Sequence, residues 1–93
     1  MLKIRVSTKF SRDFKRVIKR GLSEKKLQKV ISILASEQKL PPKYRDHALT
    51  NSKEYKNLRE CHIEPDWLLI YRIEDDTLTL YLARTGSHSD LFK

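Results

Sequence analysis

Cysteine is nearly missing from this sequence: Cys61 stands alone. No intramolecular disulfide can form, which suits a reducing cytosol. Long apolar runs are also missing, and nothing approaches the roughly 20 residues that span a bilayer. The stretch Met1-Leu2-Lys3-Ile4-Arg5-Val6 alternates charge with apolar residues and lacks the apolar centre of a signal peptide. A cytoplasmic protein without a membrane partner is therefore expected. Glycine occurs twice and proline three times, with no internal repeat and no low-complexity tract. Acidic residues are the last shortage: 12 Asp and Glu against 20 Lys and Arg leave a formal net charge of +8. Such an excess points to a polyanionic partner, whether nucleic acid, anionic membrane or acidic protein.

What is present fits one domain over residues 1–93. A chain of 93 residues buries roughly 60–65% of its extended surface, enough for one modest core. Residues 2–7 alternate with period two, predicting a short, half-buried strand. Ser7 or Thr8 can cap a helix whose stripe is Phe10, Phe14, Val17 and Ile18. Gly21 ends it. Ser23 caps a second helix with the stripe Leu27, Val30, Ile31 and Leu34, and Pro41-Pro42 forbids continuation. Residues 41–57 are polar and read as the longest loop. Strands follow at about 58–64, 67–74 and 77–84, with a hairpin turn at Glu74-Asp75-Asp76 and a Gly turn leading into a tail at 85–93. The order strand–helix–helix–strand–strand–strand predicts an α+β fold. Its sheet is mostly antiparallel, with a helical hairpin on one face. Both helices are basic outside, from Lys9, Arg12, Lys15, Arg16, Lys19 and Arg20 to Lys25, Lys26 and Lys29. A solvated face and a phosphate- or acid-binding face explain these equally well.

The chemistry-bearing residues gather at strand ends and in loops: His47, His62, Asp66, Arg84 and His88. They suit metal-independent RNA cleavage, in which a 2′-hydroxyl attacks the adjacent phosphorus and the 5′-oxygen leaves. Histidine can serve as acid or base near neutrality. Arg84 can hold the phosphate bidentately, provided that a bulge near Ala83 turns it out of the core. Trp67, Tyr55, Tyr71 or Phe92 can stack an unpaired base. His47, His62, His88, Cys61 and Asp66 are zinc-competent types, but no pair has the spacing of a zinc motif. No cofactor is expected.

Three segments carry a resemblance. Arg45-Asp46-His47-Ala48-Leu49 is one. The next is Arg59-Glu60-Cys61-His62-Ile63-Glu64-Pro65-Asp66-Trp67-Leu68-Leu69-Ile70-Tyr71, and the third is Ala83-Arg84-Thr85-Gly86-Ser87-His88-Ser89-Asp90-Leu91-Phe92. Together they resemble the YafQ branch of the RelE/ParE toxin superfamily over essentially the whole chain. The resemblance implies a RelE-like compact fold and a bacterial type II toxin. That toxin would be a ribosome-dependent mRNA endonuclease that inhibits translation. The implied partners are mRNA, the ribosome and a cognate DinJ- or RelB-like antitoxin, through which the complex would bind operator DNA. His47, His62, Asp66 and His88 match the family's acid–base cluster, with His88 as acid and Asp66 as base. Arg84, Trp67 and Phe92 match its supporting residues, and Arg59 and Tyr55 join them as substrate contacts. Between Leu49 and Arg59 the sequence departs from the family pattern, lacking its Gly. Two other functions compete: a gyrase-directed toxin of the ParE kind and a non-catalytic nucleic-acid-binding module.

Overall fold

The computed structural model describes every residue except Asn51 in the long loop and Lys93 in the tail. Strand β1 (Lys3–Val6) leads through a tight corner into helix α1 (Thr8–Lys19). Ser7 makes that corner: its Oγ accepts from the Phe10 amide and donates to the Ala83 carbonyl. One atom therefore caps the helix and pins it to the last strand. Gly21, at φ 89°, ends the helix in the left-handed conformation. Ser23 caps helix α2 (Glu24–Ala35).

Strands β2 (His47–Ala48), β3 (Arg59–Glu64), β4 (Trp67–Glu74) and β5 (Thr79–Gly86) follow, and helix α3 (His88–Leu91) closes the described chain. The sheet order is β1-β5-β4-β3-β2. Only β1 runs parallel to its neighbour, so the sheet is mostly antiparallel, as expected. Three features were not foreseen. The loop at 41–57 contains β2, the tail contains α3, and β1 is exposed along its length rather than half-buried. Among the described residues no helix is long and apolar enough to cross a membrane.

The two faces of the sheet have different cover. Val17 and Phe10 from α1 and Leu27, Val30 and Leu34 from α2 pack on Cys61, Trp67, Leu69, Tyr71, Leu80 and Leu82. On the opposite face Leu68, Ile70 and Ala83 lie under Tyr55, Leu58 and Leu91. That second cover is partial and leaves the β2–β3 side of the face open. Ala83 is the bulge anticipated from the sequence. Ile70 pairs with Arg84 while Tyr71 pairs with Leu82, so Ala83 has no partner in the ladder. The bulge shifts the alternation of β5 and moves Arg84 off the side of Leu80 and Leu82.

Candidate active site

Four rings stand in a row across the open face. His47 and His62 have ring centroids 6.3 Å apart, His62 and His88 5.7 Å, and His88 and Phe92 6.3 Å. Strand pairing explains the first two. His47 lies opposite Glu60 in the β2–β3 register, and Glu60 shares a face with His62 because they are two residues apart. The other two come from the start and end of α3. That helix is fixed by a capping box between Ser87 and Asp90.

Asp66, in the β3–β4 turn, reaches across to His88. Its Oδ1 accepts from the His88 amide at 2.9 Å and lies 2.7 Å from His88 Nδ1. Hydrogen bonds from the His88 backbone and ring hold the Asp66 carboxyl below the usual carboxylate range. An ionised Asp66 accepts the hydrogen bond of Nδ1–H, which leaves His88 Nε2 for a substrate. His62 is held in the same sense: its Nδ1 lies 3.3 Å from the Pro65 carbonyl, which can only accept. His47 differs. Its Nδ1 meets the Arg45 carbonyl at 2.7 Å and its Nε2 meets Glu60 Oε2 at 2.9 Å, so neither nitrogen is left over.

Glu60 is buried, and its Oε1 has no hydrogen-bond partner among the described residues. An unsatisfied buried carboxylate oxygen is costly, and a water or an ion is the usual partner of such an atom. Glu60, His62 and His88 each offer a donor atom, and the three atoms lie within 4.8 Å of one another. No sequence spacing shows this set, because two members come from β3 and the third from α3. Cys61 has no part in it: burial pushes its thiol up to about 12, and it faces the helix side.

Several expected site residues stand elsewhere. Arg84 is turned out by the bulge, but it does not present an open fork. Its Nε and Nη2 donate to Asp13 at 2.6 and 3.0 Å, leaving only Nη1, which lies 3.4 Å from the Tyr55 hydroxyl. Arg59 lies on the helix face with Tyr71, because its parity is opposite to that of His62, and its Nε donates to Asp46. Trp67 is buried, and its indole N–H donates to Thr85. Tyr55 is buried too, its hydroxyl donating to the Leu91 carbonyl, and Tyr71 is buried against Asp46. None of these three rings can stack a base. Phe92 can: it is 39% exposed and rests edge-on against Tyr55.

Sequence reasoning missed Asp13 and Asp90. Asp13 sits in the Phe10–Val17 stripe of α1, and a carboxylate on an apolar stripe is the signal that was available. Asp90 receives both Nη atoms of Arg20, at 2.6 and 3.0 Å. Those bonds hold its carboxyl far below the usual range. Asp90 thereby ties α3 to α1. Gly86 makes room for it. Its φ is +154°, and a Cβ there would fall 2.8 Å from Asp90 Oδ2 and 3.1 Å from Asp90 Cβ. Gly86→Ala is expected to cost about 1–3 kcal/mol, lowering the thermal midpoint by roughly 4–8 °C per kcal/mol. Circular dichroism melting checks this, and an unchanged midpoint would mean that α3 shifts freely.

Comparison with known proteins agrees with this geometry. The family model described as the bacterial toxin of type II toxin–antitoxin system, YafQ, matches residues 2–93. The mRNA interferase toxin YafQ of Escherichia coli strain B / BL21-DE3 is 40% identical over 90 residues, covering 96% of this chain and 94% of that protein. The crystal structure of a metal-bound toxin from Helicobacter pylori superposes with a TM-score of 0.91 at 50% identity, covering 99% of this chain and 100% of the other. A crystal structure of the E. coli DinJ–YafQ complex superposes with a TM-score of 0.88 at 38% identity, covering both chains fully. Sequence and fold agree over nearly the full length, and the chain belongs to the YafQ family of bacterial type II toxins.

Proposed function

We propose that this toxin is an mRNA interferase, cleaving mRNA on the translating ribosome, and that residues 1–93 form a single toxin domain. The observation that carries the reading is the His62–His88–Asp66 cluster, two imidazoles oriented through Nδ1 by fixed acceptors on an open face. His62 Nε2 accepts the 2′-hydroxyl proton as the 2′-oxygen bonds to phosphorus. The P–O5′ bond breaks, and His88 Nε2 gives its proton to the departing 5′-oxygen, leaving a 2′,3′-cyclic phosphate. Asp66 was expected as the base. Its Oδ1 is committed to the His88 amide and ring, which suits it better to orienting His88. His47 holds Glu60 beside the reacting groups, and Phe92 stacks a base next to His88.

Primer extension on a defined mRNA in a translating extract tests this. New 5′ ends should appear with the toxin and not with buffer. Growth arrest without new ends would turn the reading toward gyrase, and neither effect would leave a nucleic-acid-binding module. The gathering of titratable side chains argues against both alternatives, since neither needs proton transfer.

The partner on this reading is a DinJ-like antitoxin. The E. coli relative is solved in complex with DinJ, and a net charge of +8 suits an acidic wrapping segment. Glu60, His62 and His88 also fit a transition-metal ion, with one carboxylate and two imidazole donors, in line with the metal-bound H. pylori toxin. Such an ion would occupy the nitrogens the reaction uses. Chelator-stripped toxin should therefore retain full activity, and one equivalent of Zn²⁺ or Cu²⁺ should inhibit it. A stripped toxin that regained activity only with metal would reverse the assignment.

A further inference from the structure

RNA cleavage needs cations at the substrate phosphates, yet the two arginines expected to supply them are occupied. Arg84 is paired with Asp13 and Arg59 with Asp46. The nearest alternative opens beside His62. There a cleft of about 370 Å³ is rimmed by Lys26 and Lys29 from α2 and by Lys43 and Arg45 from the 42–45 turn. Its volume falls within the range of clefts that hold small ligands, about 300–1,000 Å³. Four cations face one carboxylate, Glu64, which is paired with Lys26 at 2.9 Å. Lys29, Lys43 and Arg45 have no carboxylate within salt-bridge distance among the described residues.

The cleft is continuous with the reaction centre in two ways. His62 belongs to both. Arg45 lines the cleft, and its carbonyl meets the His47 ring at 2.7 Å. Arg45 adopts a left-handed backbone, φ 49°, ψ 43°, which a non-glycine residue rarely takes. The conformation is fixed on one side by buried Tyr44 and by the Arg45 amide bond to the Pro42 carbonyl. Pro65, Ile63 and the Tyr44 ring, with Lys43 Nζ 5.2 Å above it, add an apolar lining suited to a ribose.

We propose that this cleft binds the RNA backbone of the nucleotides flanking the scissile phosphate, with Lys29, Lys43 and Arg45 as the phosphate contacts. The proposal rests on the mRNA-cleaving function above and names the part of the substrate that the histidine row does not reach. The occupant is the mRNA strand, and the test distinguishes it from ribosomal RNA.

The probe is a fluorescein-labelled 2′-O-methyl RNA oligonucleotide, which cannot be cleaved. Its affinity is read by anisotropy across a salt series, alongside toxin binding to empty ribosomes and single-turnover cleavage on programmed ribosomes. Lys29→Ala/Lys43→Ala is compared with Lys15→Ala/Lys19→Ala, which removes the same charge on α1 outside the cleft. The cleft variant should bind about tenfold more weakly, with a log–log salt slope smaller by about 1.4, or roughly 0.7 per lost single-strand contact. Its half-saturating toxin concentration should rise while the maximal cleavage rate stays within about twofold. The α1 variant should change none of these. Loss on the oligonucleotide assigns the cleft to the mRNA strand. Loss on ribosomes alone would overturn that assignment, because the ligand would then be ribosomal RNA. Equal effects from both variants, or none from either, would overturn the proposal. So would a cleft variant that loses antitoxin binding while keeping RNA binding, since the ligand would then be an acidic peptide. A wild-type protein that cleaves no mRNA would instead remove the function on which the proposal rests.

Discussion

His88→Ala should lower mRNA cleavage by about 10²–10⁴-fold, the usual contribution of a positioned proton donor, with little loss of stability. The side chain is 54% exposed, so its removal opens no cavity. Asp66→Asn should cost almost as much without touching the ring. An amide in place of the carboxylate cannot stabilise the imidazolium form of His88, whose Nε2 proton goes to the leaving oxygen. A substrate with sulfur at the 5′-bridging position separates the roles, because a thiolate leaves without protonation. If His88 is the acid and Asp66 acts only through it, both variants recover on that substrate and His62→Ala does not. An Asp66→Asn variant that stayed inactive while His88→Ala recovered would return the base role to Asp66.

The largest stability effect is expected at Asp13, far from the histidines. Its side chain is 1% exposed and accepts four contacts. Two come from Arg84, one from the Thr85 amide at 3.2 Å and a longer one from Arg16 at 3.8 Å. Asp13 does there what β1 cannot. The β1 ladder on β5 ends at Val6–Leu82, so the Thr85 amide would otherwise lie unpaired at the sheet edge. Asp13→Ala strands that amide and leaves the Arg84 charge, 15% exposed, without its partner. Breaking a buried pair from one side costs about 3–5 kcal/mol, a large share of the roughly 5–15 kcal/mol that holds a domain together. Urea unfolding should show a lower midpoint with an unchanged slope. Asp13→Leu combined with Arg84→Met should recover part of the loss, since no charge is then left buried. A cost below about 1 kcal/mol for Asp13→Ala would mean that solvent screens the pair.

These two results would divide the cluster of titratable groups into a reacting part and a load-carrying frame. Arg84 belongs to the frame. It connects Asp13 to the Tyr55 hydroxyl, and that hydroxyl holds the Leu91 carbonyl at the end of α3. Arg20 and Asp90 hold α3 from the other side. The four-residue helix that carries His88 is thus fixed at both ends by α1 and by the 52–58 loop. An isolated helix this short would not persist in water.

The sequence by itself determined β1, the two long helices and β3 to β5 with their local limits, but not β2 or α3. Period-two alternation marked β3 and β4, the Phe10–Val17 and Leu27–Leu34 stripes marked the helices, and Ser7, Ser23 and Gly21 set their ends. These are contacts between near neighbours along the chain. The motif segments likewise named His62, Asp66 and His88. Only the tertiary structure decided who meets whom across the chain. Arg84 and Asp13 are 71 residues apart, and nothing in local patterning shows that one neutralises the other. The bulge at Ala83 decides the direction of Arg84, burial takes Trp67 and Tyr55 out of reach of a base, and α3 brings His88 to within 5.7 Å of the His62 ring. Charge pairing and ring stacking depend on distances of a few ångströms, and those distances are fixed by how the sheet is ordered and covered, not by spacing along the chain.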